Sequence, residues 1–225
     1  MKFLLIGCNG KMGKKVSLIA KDFGDEISCG VDKNATQNDF PVYQNINDVK
    51  EDYEGIVDFS SASSHSDFIK KAIEKNIPYG LFSTIISPSD QETIFKASKK
   101  IAILVCKNAS LGINLMYKII KQCILELPND CDCAVSEYHH KQKLDKPSGT
   151  AKEIEKLLIE GNINFTTNCF RVGQEKGYHK VEFFFGDEVL TISHRAYSRD
   201  IFAKGAISAM HKLALQSPGV YKELN

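Results

Sequence analysis

The chain has 225 residues, enough for one large domain or two modest ones, and its 43% hydrophobic and 25% charged residues are a soluble globular balance. A formal net charge of +1 supplies no basic field, so neither nucleic acid nor an anionic membrane is expected as a partner. No apolar run approaches the roughly 20 residues of a membrane-spanning helix, and residues 1–6 are too short for a signal-peptide core. Seven scattered cysteines fit a reduced, cytoplasmic compartment better than a disulfide framework.

Residues 3–6, Phe-Leu-Leu-Ile, form a continuous apolar run, the mark of a strand buried on both faces. Gly7-Cys-Asn-Gly10-Lys-Met-Gly13 follows, and Met12, Val16, Ile19 and Ala20 then recur at helical spacing. A second strand over residues 26–31 ends at Asp32. Strand, glycine turn, helix, strand and acid, in that order, make a dinucleotide-binding unit. Gly7 permits the turn, Gly10 lets backbone amides approach a pyrophosphate, and Gly13 allows close helix–sheet packing. Asp32 lies 19 residues beyond Gly13, where an acid grips the adenosine ribose. The acid favours NADH, while the adjacent Lys33 tolerates a 2′-phosphate, so NADH and NADPH both fit.

Residues 33–47 read as a loop with at most a short edge strand. Strands are expected over residues 55–59, 78–82 and 101–105. Helices lie between them, one with Phe68, Ile69, Ala72 and Ile73 on a face and one started by Pro88. The alternation implies an open parallel sheet with ligands at the carboxyl ends of its strands. The turns at residues 7–13, 58–64 and 82–87 should therefore face the cofactor. His65, at that edge, reads as a cap or surface residue.

From Asn108 the pattern changes. A long helix carries Leu115, Met116, Ile119, Ile120, Cys123, Ile124 and Leu127. Strands follow over residues 131–138, 165–172, 178–185 and 188–195, the last two joined by a Gly186-Asp187 hairpin turn. The fold class is therefore α/β: a Rossmann-type dinucleotide-binding domain plus an α+β domain with a mixed, largely antiparallel sheet. The final helix, residues 201–215, fits against either domain. Cys131 and Cys133 lie in an apolar-alternating segment without a partner pair at zinc spacing, so they read as core thiols and no metal is expected.

Residues 137–151, Glu-Tyr-His-His-Lys-Gln-Lys-Leu-Asp-Lys-Pro-Ser-Gly-Thr-Ala, concentrate imidazoles, ammonium groups and a helix start. His139 and Lys143, four apart, are expected to share a face. His139 is a candidate general acid and Lys143 a candidate cation for stabilising charge. Thr150 with Glu153 fits a capping box, and Gly149 leaves room for a ligand carboxylate at the helix amides. The bland alternative is a solvated, lysine-rich loop before a capped helix.

This stretch, Glu137-x-His-His-x-x-Lys-x-Asp-x-Pro-Ser-Gly-Thr-Ala151, resembles the signature of the 4-hydroxy-tetrahydrodipicolinate reductase (dihydrodipicolinate reductase) family of lysine and diaminopimelate biosynthesis. Gly7-x-x-Gly-x-Met-Gly13, Asn108-x-Ser-x-Gly-x-Asn114, Arg171-x-Gly…Gly177-x-His179 and His194-x-Ala-x-Ser-Arg-x-x-Phe-Ala-x-Gly-Ala206 match its other motifs in order. The resemblance implies nicotinamide-dependent reduction of a small cyclic dicarboxylate, with His139 the proton donor and Lys143 its catalytic partner. His140, Gly149 and Thr150 become carboxylate contacts. Gly7, Asn9, Gly10, Lys11, Met12, Gly13, Asp32, Phe59, Ser60, Ser83, Thr84, Asn108, Ser110 and Arg199 become cofactor contacts. It also implies a homotetramer, domain closure around the ligands, and a last helix returned to the cofactor domain. Residues 1–110 with 200–225 would bind dinucleotide; 111–199 would bind substrate and join subunits. Family members carry Gly-Thr-Thr-Gly where this chain has Phe82-Ser-Thr-Ile85, lack of a nearby proline is a second departure, and the loops are shorter. Two rivals are a different dehydrogenase on the same scaffold and a non-catalytic NAD(H)-binding sensor.

Overall fold

The structure is a computed structural model that describes residues 1–36, 38–61, 65–83, 86–128 and 130–222. Its first strand shows why an unbroken apolar run was needed. β1 (Lys2–Ile6) sends Phe3 and Leu5 into one core and Leu4 and Ile6 into another, on opposite faces of a sheet. β2 (Glu26–Val31), β3 (Val42–Tyr43), β4 (Gly55–Asp58), β5 (Tyr79–Leu81) and β6 (Ala102–Val105) join it in parallel. A further strand, β11 (Gly219–Tyr221), pairs with β6 and was not anticipated, being only three residues long. The sheet order is β11-β6-β5-β4-β1-β2-β3.

Helices cover both faces. α1 (Lys11–Asp22) and α6 (Asp200–Leu213) bury Val16, Ile19, Ala20, Ala203, Ala206, Ile207 and Met210 on the Phe3/Leu5 side. α2 (Ser66–Lys75) and α3 (Pro88–Ala97) bury Ile69, Ala72, Ile94 and Ala97 on the Leu4/Ile6 side. The valine, isoleucine and methionine side chains among them contribute about 1.5–3 kcal/mol each when fully buried. The periodicity of the last helix left two docking places open; α6 belongs to the first.

The second unit has a four-stranded sheet ordered β10-β9-β7-β8. β7 (Asp132–His139) is parallel to β8 (Asn164–Arg171) and antiparallel to β9 (Tyr178–Phe185), which pairs antiparallel with β10 (Glu188–Arg195). It is thus mixed and mainly antiparallel, as expected. α4 (Leu111–Glu126) and α5 (Gly149–Glu160) pack on one face over Cys133, Val135, Val181 and Phe183. Cys131 and Cys133 are buried free thiols. The chain separates into two compact units, Met1–Ala109 with Asp200–Asn225, and Ser110–Arg199.

Candidate active site

In the first unit, parallel pairing brings the carboxyl ends of β1, β4 and β5 to one sheet edge. Gly7 has φ +75°, a left-handed conformation that favours glycine, and donates its N–H to Val31 O at 2.8 Å. Gly10 donates to Gly7 O at 3.1 Å and stands at the N-cap of α1 without a side-chain cap. The first turn of α1, which includes Lys11 and Met12, contains no acid. A Cβ on Gly13 would overlap the Gly7 carbonyl and Cys8 backbone, so helix and loop meet there only because it is glycine. An acid-free helix start with no side-chain cap suits a phosphate.

Asp32 stands just beyond β2. Its carboxylate accepts from Asn9 N and Asn34 N, each at 3.0 Å, which fastens it beside the glycine loop. Asn9 is held in turn by Asn38 Nδ2 at 2.7 Å and by its own donation to Asn34 O. The residues present therefore fit a dinucleotide: a tight turn, helix amides and a carboxylate acceptor.

Phe59 stacks on Phe82, with ring centroids 4.9 Å apart and planes 11° from parallel. The aromatic residue that opens the altered turn is thus packed inward. Ser60 N donates to Asp58 Oδ1 at 2.8 Å. Asp58 Oδ2 also receives the Tyr79 hydroxyl at 2.6 Å and the His65 ring at 2.9 Å, and His65 N donates to Asp90. The expectation for His65 is corrected: it holds the N-cap position of α2, but its ring is buried on Asp58 and caps nothing. Burial works against its proton, yet the Asp58 hydrogen bond and charge prevail and raise its pKa. Ser83 and Asn108 are half-buried; Thr84 lies outside the described residues. Ser110 belongs to the second unit, where its hydroxyl caps α4 by accepting from Ile113 N at 3.3 Å. Arg199 is that unit's last residue.

In the second unit, the two-residue repeat of the strands builds the site. Cys133 and Val135 of β7 lie under the helices, and Glu137 and His139 continue that row to the strand's end. Register sets Cys169 beside Glu137, Arg171 beside His139 and His179 beside Glu137, with His194 beside His179. An apolar floor thereby gives way to a row of polar groups where α5 begins.

Glu137 is fully buried. Its Oε1 accepts from Arg171 Nη2 at 2.8 Å and Ser148 N at 3.2 Å, and its Oε2 lies 2.8 Å from His139 Nδ1. The imidazole approach is close but off-axis, so it counts as an ion-pair contact more than an aligned hydrogen bond. Burial alone would raise the Glu137 pKa; the contacts with His139, Ser148, Arg171 and Cys169 outweigh it and hold the carboxyl well below the usual range. His179, stripped of solvent and near His139, is lowered to about 3 and stays neutral. Its Nε2 is 3.1 Å from Ser148 Oγ. Glu137, His139 and His179 bring one ligand-type atom each within 4.8 Å of the others. Arg171 and Ser148 both take Glu137 Oε1, while Oε2 faces the His139 ring.

Two expectations about this stretch change. α5 starts at Gly149, and its N-cap is Ser148, whose Oγ accepts from Ala151 N at 3.3 Å; Thr150 is inside the helix and does not cap it. β7 stops at His139, and residues 140–143 form a turn closed by Lys143 N donating to His140 O at 3.1 Å. The shared-face argument for His139 and Lys143 therefore fails, since neither helix nor strand spans them. Lys143 pairs with Asp145 at 2.8 Å, and Arg171 fastens the turn through the Lys143 and Asp145 carbonyls. Its charge still bears on His179 and so reaches the cluster. Gly149 and Thr150 open α5, and His140 is half-buried. Glu137, Ser148, Arg171 and His179 were missed as site residues. Only Glu137 carried a local signal, its position two before His139 on a strand.

Residues 1–109 match the family described as "Dihydrodipicolinate reductase, N-terminus", and residues 112–224 match "Dihydrodipicolinate reductase, C-terminus". The chain is 36% identical to the 4-hydroxy-tetrahydrodipicolinate reductase of Caldanaerobacter subterraneus subsp. tengcongensis, over 98% of this chain and 96% of that one. It is 36% identical to the Clostridium tetani protein of that name, over 98% and 94%. A dipicolinate-bound dihydrodipicolinate reductase from Paenisporosarcina sp. TG-14 shares the fold, with TM-score 0.83, 18% identity, and 99% and 97% of the two chains covered.

Proposed function

This chain belongs to the dihydrodipicolinate reductase family, a family of NAD(P)H-dependent oxidoreductases, and we propose that His139 and Lys143 carry its chemistry. The observation that supports this most is His139 held against a buried carboxylate that also fastens Ser148, the N-cap of a new helix. Imidazole holds and releases protons near neutrality, and the adjacent helix start favours an anion.

The substrate of this reading is a cyclic dicarboxylate, the substrate class of lysine and diaminopimelate biosynthesis. NADH or NADPH supplies the hydride when bound. Gly7, Asn9, Gly10, Lys11, Met12 and Gly13 hold the pyrophosphate side and Asp32 the ribose. Phe59, Ser60, Ser83, Thr84 and Asn108 serve the nicotinamide side, and Arg199 lies near the hinge. Ser110, already engaged as a cap, is the weakest member of that set. His139 delivers the proton that balances the hydride, and Lys143 stabilises charge on the reacting dicarboxylate. His140 and the Gly149 and Thr150 amides receive the carboxylates. Residues 1–110 with 200–225 form the dinucleotide domain, and residues 111–199 the substrate and tetramerisation domain of a cytoplasmic homotetramer. Among the described residues no helix is long and apolar enough to cross a membrane.

A coupled assay tests the reading. Dihydrodipicolinate synthase, pyruvate and aspartate semialdehyde generate the substrate, and loss of NADH or NADPH absorbance is followed on adding this protein. Turnover is expected, with His139→Gln lowering kcat by about 10²–10⁴-fold, the usual share of a positioned proton donor. No oxidation of either cofactor by the wild-type protein would overturn it.

A further inference from the structure

We propose that Glu137 is a positioning residue for the reduction: one buried carboxylate orients the His139 ring and anchors the helix start that receives a substrate carboxylate. The inference rests on the reading of His139 given above. Glu137 reaches both parts because Oε2 faces His139 Nδ1 at 2.8 Å while Oε1 accepts from Ser148 N at 3.2 Å. Ser148 is the N-cap of α5, so its backbone position sets where the Gly149 and Thr150 amides point.

A carboxylate with no solvent contact persists only when its charge is compensated and its lone pairs are engaged. Here the buried Arg171 side chain supplies the countercharge at 2.8 Å, and Ser148 N adds a further hydrogen bond. Arg171 also holds the Lys143 and Asp145 carbonyls. Proton donor, carboxylate-binding amides and the lysine turn thus share one fastening point. That arrangement lets a proton donor keep a fixed direction while its free Nε2 edge, beside Gly177, meets the ligand.

The electrostatic consequence has a definite sign. The charged or titratable groups around His139 are Glu137 on its own strand, Arg171 and Cys169 on β8, His179 on β9, His194 on β10, and Lys143 with Asp145 in the turn. His179 and His194 are both lowered by burial, so they add no cation at neutral pH. Of the two anions, Asp145 is paired with Lys143, and Glu137 is the one in contact with the ring. Its charge lies beside the ring that is to deliver the proton. Replacing it with a neutral amide leaves Arg171 facing the ring as an uncompensated cation.

The test uses Glu137→Gln and Glu137→Asp in the full-length protein, with kcat, both KM values and the pH profile measured in the coupled assay. Glu137→Gln should lower kcat at pH 7.5 at least tenfold, raise substrate KM and leave cofactor KM unchanged. The high-pH limb of kcat should move toward acid, because the negative charge 2.8 Å from the proton donor is removed. Glu137→Asp keeps the charge and the Arg171 pairing, so it serves if the amide variant does not fold. Its shorter arm cannot span His139 and Ser148 together, so kcat should fall tenfold while the limb stays in place. Wild-type kcat in either variant, or an unmoved limb in Glu137→Gln, overturns the inference. His139→Gln run alongside separates the two failures: if it retains turnover the functional reading falls, and if it alone is inactive only the role of Glu137 does.

Discussion

His179 and His65 are both buried histidines, yet their surroundings drive them in opposite directions. His179 lies near the His139 ring and, among the described residues, has no ion-pair partner closer than Glu137 at 4.0 Å, so burial lowers it to about 3. The unfolded chain takes up a proton near pH 6.5 that folded His179 refuses. Its stabilising contribution is therefore present above pH 6.5 and lost as pH falls toward 3. From pH 7 to 5 the loss is about 2 kcal/mol for a group that stays neutral across that range. His65 behaves the other way, since Asp58 and Asp90 raise it: its contribution is full below pH 6.5 and fades as pH rises through its raised value. Denaturant unfolding at pH 7 and pH 5 checks the first prediction. His179→Gln should lose less stability between those pH values than the wild type, by about 2 kcal/mol. An equal loss in both proteins would assign the acid sensitivity elsewhere.

At the scale of elements, the β1–loop–α1 junction is the tightest packing that the order of residues announces. Gly13 lets α1 close on the Gly7 carbonyl, and a methyl there meets backbone, which cannot swing aside as a side chain would. Gly13→Ala should lower the melting temperature by several degrees, consistent with overpacking of about 1–3 kcal/mol. It should also raise cofactor KM, with substrate KM unchanged. A variant with unaltered melting and cofactor KM would show that the junction relaxes. This junction was legible because glycines, apolar spacing and Asp32 all fall within one continuous βαβ stretch. The start of α5 was less so. Ser148 and Thr150 are both good caps with polar followers, and the choice between them came from the pull of Glu137 on Ser148 N and of His179 on Ser148 Oγ. Those partners come from β7 and β9, far from the cap in sequence.

For the whole molecule, the second sheet carries helices on one face only among the described residues. Its other face shows Tyr138 stacked on Phe170 at 4.4 Å, Tyr178 beside them, and exposed Phe184 and Val189. Apolar side chains on an open sheet face are a ready surface for self-association. If this face joins subunits of the proposed homotetramer, light scattering should give four times the chain mass. Phe184→Asp should then yield smaller species without loss of fold by circular dichroism. A monomeric wild-type protein would refute the assembly.

The sequence by itself determined the parts whose physics is local: the buried strands, the glycine loop and its acid, the Gly186-Asp187 hairpin, and the change of pattern at Asn108. Each follows from periodicity or turn chemistry within a few neighbouring residues. Tertiary structure decided what depends on distant partners. It placed α6 on the first unit, where Ala203, Ala206, Ile207 and Met210 complete a core begun by Phe3 and Leu5. It added β11, too short to show a period, by pairing it with β6. It stopped β7 at His139, buried His65 on Asp58, and through strand register brought Arg171 and His179 beside Glu137 and the proton donor. Register is a relation between strands more than twenty residues apart, so no window along the chain contains it.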